Sequence, residues 1–292
     1  MTVEKCFCPA SVEEAAALLA QHGRDIRICA GGTDLFVLRR KGKSLSRYLM
    51  DLSGLGLDQI REEADGRISL GAMATLTSIH DAPLLQREPF RCLREAAGHV
   101  GSRQIRNMAT GVGNVCTGLP SADAAVALLA LDAAVKVRSV RGTRLVPITE
   151  FFLAPRTVAL DADEFVTEIL LPAPDGADSQ SRFRKVGPRR ELFISVFSVA
   201  LWLRPGADGT VAHAAIAMGV MAPVPVRLPK TEAYLLGKPL SEAVIAQALA
   251  VMQTEVRPRS SHHGSEEYRR KLAENVLGRY LREIGGIWDG RC

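Results

Sequence analysis

The sequence is poor in several things, and each shortage excludes something. Aromatic residues make up 5% of the 292-residue chain and do not alternate with its basic runs, which argues against the stacking surfaces that hold single-stranded nucleic acid. The basic runs are Arg39-Arg40-Lys41-Gly42-Lys43, Arg184-Lys185 with Arg189-Arg190, and Arg269-Arg270-Lys271. With a formal net charge of only +5, they read as solvated helix faces and a partner-docking surface, not as a nucleic-acid footprint. No apolar run approaches the ~20 residues a membrane helix needs, so no membrane span is predicted. The N-terminal stretch MTVEKCFCPASVEEA carries acids and lacks the apolar core of a secretory signal, which predicts a cytoplasmic protein. Of the six cysteines (Cys6, Cys8, Cys29, Cys92, Cys116 and Cys292) only Cys6 and Cys8 are close, at a spacing too short for a metal knuckle. An iron–sulfur cluster needs about four suitably placed thiolates, so the chain is predicted to bring no metal of its own. His262-His263 does not alter that, because neighbouring side chains diverge. No Ser/His/Asp or Cys/His set can be assembled either, and no catalytic side chain is assigned.

What is present is core material. The chain is 47% hydrophobic and 24% charged, and its length suits two domains or one composite. Ser11-Val12-Glu13-Glu14 opens a helix with a capping residue and acids in the first turn, and Gly23 closes it. A strand over Asp25–Ala30 follows, then Gly31-Gly32, then an amphipathic helix through Arg39. A second region is predicted to hold strands around 68–72, 134–140 and 167–172, with helices near 77–81, 89–100 and 121–131. PAPDGADSQS, residues 172–181, reads as a linker. Beyond it come the strands FRKV, ISVFSVALWL and HAAIAMGV, then helices over 242–256 and 266–284, an α+β arrangement.

Two glycine-containing loops, each feeding a helix, carry most of the functional information. The first is ICAGGTDL, Ile28 to Leu35; the second runs from Ala109 through Thr110-Gly111-Val112-Gly113-Asn114 to Asp123. Glycine allows positive φ and close approach to the backbone, and successive N–H groups make an anion-binding concavity. Thr33 and Thr110 could add hydroxyls and Asn114 an amide, and Asp123 could accept hydrogen bonds from ligand hydroxyls. Two such loops face to face would suit a pyrophosphate. A Gly-Gly pair after a strand can equally be a plain turn, and neither the dinucleotide fingerprint GxGxxG nor the P-loop pattern is present. The residues alone leave both readings open.

AGGTDL, ISLGAMATLTSI, IRNMATGVGNVCTGLPSADAAVALLALDA, PITEFFLAPRTV, FRKVGPRRE, MGVMAPVPVR and RPRSS with SEEYRR together resemble the FAD-binding medium subunit of molybdenum hydroxylases of the xanthine dehydrogenase and carbon monoxide dehydrogenase type. The likeness is greatest to the separate flavin subunit of bacterial xanthine dehydrogenases. The resemblance implies an α+β chain with a FAD-binding fold of the vanillyl-alcohol-oxidase (PCMH) type. It would comprise two α/β subdomains, residues 1–58 and 59–175, and a C-terminal α+β domain, residues 176–292. It also implies that Ile28, Cys29, Ala30, Gly31, Gly32, Thr33, Asp34 and Leu35 line the FAD pyrophosphate, with Thr110, Gly111, Val112, Gly113 and Asn114 opposite. Asp123 would meet sugar or ribitol hydroxyls, Val100 and Val166 would make apolar contacts, and Lys185 would reach toward the isoalloxazine.

The implied activity is electron transfer from [2Fe-2S] clusters in a small subunit, through FAD, to NAD+ or another acceptor. A molybdopterin-binding large subunit would oxidise the substrate, with purines expected. Two departures stand out. Val112 occupies a place where the family reads glycine, which predicts a shifted loop at Gly111 or weakened flavin binding. Phe193-Ile194-Ser195 replaces an Asp-Ile-Ala pattern near the expected flavin edge. These departures leave a non-catalytic scaffold subunit as an alternative, and a stand-alone FAD oxidoreductase as a weaker one.

Overall fold

A computed structural model describes residues 3–42, 46–173, 178–189 and 192–287. Lys43 and Arg190 of the basic runs, residues 174–177 of the expected linker, and Cys292 lie outside the described residues. The first unit opens with the predicted helix, Val12–His22. The Ser11 hydroxyl accepts from the Glu14 N–H at 3.1 Å, and the Glu14 carboxylate accepts from the Ala10 N–H at 2.8 Å, so side chains satisfy two helix-terminal donors. Gly23, at φ +52°, ends the helix in a conformation that costs glycine little. The helix covers a parallel three-stranded sheet in the order Lys5–Phe7, Tyr48–Asp51, Ile26–Cys29, with the last strand in sequence at its centre. Ala15, Ala16 and Leu19 bury against Ile26, Met50 and Leu52, and Phe165 joins them from the next unit. The first unit therefore does not close its own core.

The second unit is built on a five-stranded antiparallel sheet, ordered Ile60–Glu62, Ile68–Gly71, Phe165–Leu171, Ala134–Ser139, Gly142–Pro147. Every residue of the central strand Phe165–Leu171 is buried. Several helices are shorter than their sequence pattern suggested. The stretch 89–100 begins as a 3₁₀ turn, Glu88–Phe90, and is α-helical only over Arg91–Gly98.

The third unit carries an antiparallel sheet ordered Gln180–Val186, Phe197–Pro205, Val211–Gly219, Val226–Arg227. Its central strands are apolar almost without alternation because both faces are covered. Phe183, Ala200, Trp202, Ala215 and Ala217 pack toward the second unit. Phe197, Val199, Leu201, Ile216 and Met218 pack in the core that also takes residues of the helices Glu242–Glu255 and Glu266–Ile284.

The helix Asp123–Ala130 lies between the second and third units, and all eight of its residues are buried. A helix that is apolar all round belongs where both sides are covered, and DAAVALLA is such a sequence. Leu128 is fully buried there. Leu128→Ala is expected to lower unfolding free energy by about 2–5 kcal/mol in a urea titration; a loss under ~1 kcal/mol would contradict this packing.

A candidate cofactor cleft between two glycine loops

A cavity of about 830 Å³ opens between the parallel sheet of the first unit and the second unit. That size is at the upper end of ordinary ligand pockets. Its walls include Ile28, Cys29, Ala30, Gly31, Gly32, Thr33, Asp34 and Leu35 from the first loop, and Thr110, Val112, Gly113 and Asn114 from the second. Val100 and Val166 add apolar wall. Fourteen of the seventeen residues singled out from the sequence thus meet in one cleft.

The two glycines of the first loop have separate physical reasons. A Cβ on Gly31 would fall 1.7 Å from the Met108 carbonyl oxygen, so the first loop rests its bare backbone on the chain entering the second. Gly32 adopts φ +68°, and a Cβ there would collide with the Phe36 ring at 2.7 Å. Past this point the N–H groups of Gly31, Gly32, Thr33 and Asp34 have no acceptor among the described residues. Four successive open donors at the end of a strand are main-chain groups of the kind that bind an anion.

The second loop is held rigidly. Thr110 bridges Thr75, the Leu76 N–H donates to the Ala109 carbonyl at 2.8 Å, and the Gly111 N–H to the Ala74 carbonyl at 3.1 Å. Sequence suggested an open glycine loop; the structure has a short helix, Gly111–Cys116, capped by the Thr110 hydroxyl, which accepts from the Gly113 N–H at 2.9 Å. This corrects the shifted-loop expectation for Val112. Helical backbone suits any L-residue, φ at Val112 is not positive, and its side chain is buried in the main core without strain. Gly111 does not take over a strained position either. It faces inward, where a Cβ would strike Ile79 at 2.6 Å. The Asn114 amide oxygen accepts from the Ala125 N–H at 3.3 Å, capping the buried helix that its own N-cap, Ala122, leaves uncapped.

Gly111, Asp123 and Lys185 lie outside the cavity walls. Asp123, at the start of the buried helix, is 3% exposed. Its carboxylate accepts from the Ser195 hydroxyl at 2.6 Å and pairs with the Lys185 ammonium at 2.7 Å. Lys185 also donates to the His99 carbonyl at 3.0 Å. Both carboxylate oxygens therefore have protein partners. Burial pushes the Asp123 carboxyl above the usual range, while Lys185 and the Ser195 hydroxyl pull it back. Phe193 lies over this pair, its ring 4.7 Å from the Lys185 nitrogen and pressed on the bare backbone of Gly187. The ring itself is half-buried.

Cys29 and Cys116 both line the cleft, and burial pushes both thiols up, Cys116 to about 12. The thiolate is the reactive form, and burial disfavours it at both positions. Sequence reasoning missed Arg156 in the cavity wall, although its motif PITEFFLAPRTV had been singled out. Its position depends on a backbone φ of +61°, which no local pattern announces. Asp161 and Glu164 were missed likewise. Glu164 is held below the usual carboxylate range by the Arg144 guanidinium, at 2.6 Å.

Two glycine-containing segments of the chain thus meet at one cleft, and comparison with known proteins identifies the family. Residues 2–174 match the family described as the FAD binding domain in molybdopterin dehydrogenase, and residues 182–284 match the CO dehydrogenase flavoprotein C-terminal domain. The chain belongs to this family: it is an FAD-binding medium subunit of the molybdenum hydroxylases, an oxidoreductase subunit. It is 33% identical to the nicotinate dehydrogenase FAD-subunit of Eubacterium barkeri, with 98% of this chain and 97% of that one covered. It is 31% identical to the putative xanthine dehydrogenase FAD-binding subunit of Escherichia coli K12, covering 97% and 96%. Among solved structures it superposes on a chain of reconstituted CO dehydrogenase from Oligotropha carboxidovorans with a TM-score of 0.91 at 26% identity, covering 99% of each chain.

Gly31→Ala is expected to push the two loops apart and weaken FAD binding by at least about tenfold (1.4 kcal/mol) in a fluorescence titration; unchanged affinity would show that the loops separate at no cost. Lys185→Met should destabilise the fold by about 3–5 kcal/mol at neutral pH, because it leaves a buried carboxylate unpaired. That penalty belongs to ionised Asp123, whose folded-state pKa the substitution raises further above its unfolded value. It is therefore present at high pH and relieved as pH falls through the raised value, which urea melts of the variant across pH would reveal.

Proposed function

We propose that the chain binds FAD in the cleft between its glycine loops and serves as the electron-transfer subunit of a heteromeric molybdenum hydroxylase. In this reading residues 1–58 and 59–175 enclose the cofactor, and residues 176–292 form the C-terminal domain packed behind them. The supporting observation is the run of four open N–H donors from Gly31 to Asp34, facing the Thr110-capped turn. These groups fit a pyrophosphate, since they offer fixed partial positive charge at no reorganisation cost. Val100 and Val166 offer apolar surface to the cofactor's rings.

When bound, FAD supplies the redox chemistry, accepting two electrons and giving them on as a pair or singly. The protein's part is to hold it. The two loops fix the phosphates, and the apolar walls exclude water. In this reading substrate oxidation and cluster chemistry belong to partners. We place a molybdopterin-binding large subunit and a [2Fe-2S] small subunit in those roles. NAD+ is the acceptor and an N-heterocycle such as a purine the substrate of the whole complex, in keeping with the relatives named for nicotinate and xanthine.

Purified protein incubated with FAD and desalted should retain the visible absorption of an oxidised flavin, and NADH should bleach it anaerobically. A colourless protein that takes up no FAD would sink the whole reading. Bound flavin that NADH leaves oxidised, but a reduced partner complex bleaches, would reassign the acceptor.

A further inference from the structure

The cleft holds one side chain that bridges its two walls. Arg156 stands at the tip of the tight hairpin formed by Phe152–Ala154 and Thr157–Val158, at φ +61°, a conformation that a non-glycine residue adopts at some cost. It is held there on purpose-built backbone. The Arg156 N–H donates to the Gly118 carbonyl at 2.9 Å, and Gly118, itself at φ +58°, lets the Arg156 main chain approach so closely that a Cβ would meet it at 3.1 Å. The result aims the guanidinium across the cleft, where one terminal nitrogen bonds Asp34 at 3.1 Å.

Asp34 closes the nest of open N–H groups, and a carboxylate there would repel an anion. An aspartate before a helix ordinarily turns its carboxylate back onto the helix N–H groups. Asp34 instead has helical backbone angles, makes no capping hydrogen bond, and gives its carboxylate to Arg156. Arg156 thus draws the acid off the donors and cancels its charge. It uses one nitrogen to do so; its other two have no acceptor among the described residues, although the residue forms part of the cavity wall.

We propose that Arg156 is a pyrophosphate-binding residue. It clips Asp34 with one nitrogen and directs its remaining donors to the phosphate oxygens of a dinucleotide lying on the nest. The backbone nest supplies main-chain donors only, and Arg156 adds guanidinium N–H donors from the opposite wall, its charge balanced by Asp34. The inference rests on the flavin reading above and adds a residue to it.

The test compares wild type with Arg156→Ala, Arg156→Lys, Asp34→Asn and the double variant Arg156→Ala/Asp34→Asn. The readouts are FAD binding by fluorescence quenching and ADP binding by calorimetry, ADP carrying the pyrophosphate without the flavin. Hydrogen bonds to charged groups are worth ~1.5–3 kcal/mol, so Arg156→Ala should weaken both ligands by roughly tenfold to a hundredfold. Arg156→Lys should recover part of the loss, and the double variant should remain weak, because the direct contact is still missing. Two results would overturn the proposal: Arg156→Ala binding both ligands like wild type, or the double variant regaining full affinity, which would reduce Arg156 to a shield for Asp34. Wild-type protein that binds neither ligand would refute the flavin reading itself, and the clip with it.

Discussion

The cleft depends on one close contact between two backbones. Gly31 lies so near the Met108 carbonyl that no side chain fits between them, and this sets the distance between the two loops that frame the cavity. The contact has meaning only because the second loop cannot move. Hydrogen bonds from Leu76 to Ala109 and from Gly111 to Ala74 tie it to the chain leaving the strand Ile68–Gly71. The first loop is therefore registered against the five-stranded sheet, though its own strand belongs to another sheet. Phe165 strengthens the link, since it starts the central strand of the second unit and fills the core of the first. A site assembled from two chain segments has no fixed shape unless something fixes their separation. Here a missing Cβ does so.

The third unit is joined to this frame through the buried helix Asp123–Ala130. Apolar packing supplies the adhesion, and the polar groups supply the register. Asn114 in the cleft wall reaches the Ala125 N–H, and Asp123 at the same helix end takes Lys185 and Ser195 from the C-terminal sheet and the segment leading into it. A buried ion pair contributes little net stability, because desolvating both charges offsets most of their attraction. Its effect is discrimination. Sliding the strand Gln180–Val186 by one residue would turn Lys185 to the other face and strand the carboxylate without a partner. The cleft, the helix and the far sheet thus share one alignment.

Much of this was legible in the sequence, for identifiable reasons. Capping residues, glycine stops and apolar period place the helices Val12–His22, Glu242–Glu255 and Glu266–Ile284 to within a residue or two, because those signals are local. The two glycine loops could be paired before any fold was known, and Gly31, Gly32 and Thr110 do meet at one cavity. What could not be read was long-range or conformational. Val112 looked misplaced because a glycine-containing run suggested an open loop; the Thr110 cap makes it a helix, where valine is unremarkable. The protein partners of Asp123, 62 and 72 residues away, could not be read from the sequence. Arg156 is invisible without the hairpin that forces its φ positive.

The Asp123–Lys185 pair also alters what the lysine can do electrically. A lone buried ammonium near a flavin would favour the electron-rich reduced cofactor as a monopole, over a long reach at low dielectric. With a carboxylate at 2.7 Å the two charges act together as a dipole, whose field falls away faster and whose sign depends on direction. The protein therefore holds a fixed, oriented polar pair behind the cleft in place of a free cation. Phe193 keeps it so, covering the ammonium with an aromatic face that attracts a cation and sheds water. The residue that departs from the family pattern, and seemed to put the flavin edge in doubt, is the one whose ring lies against this pair.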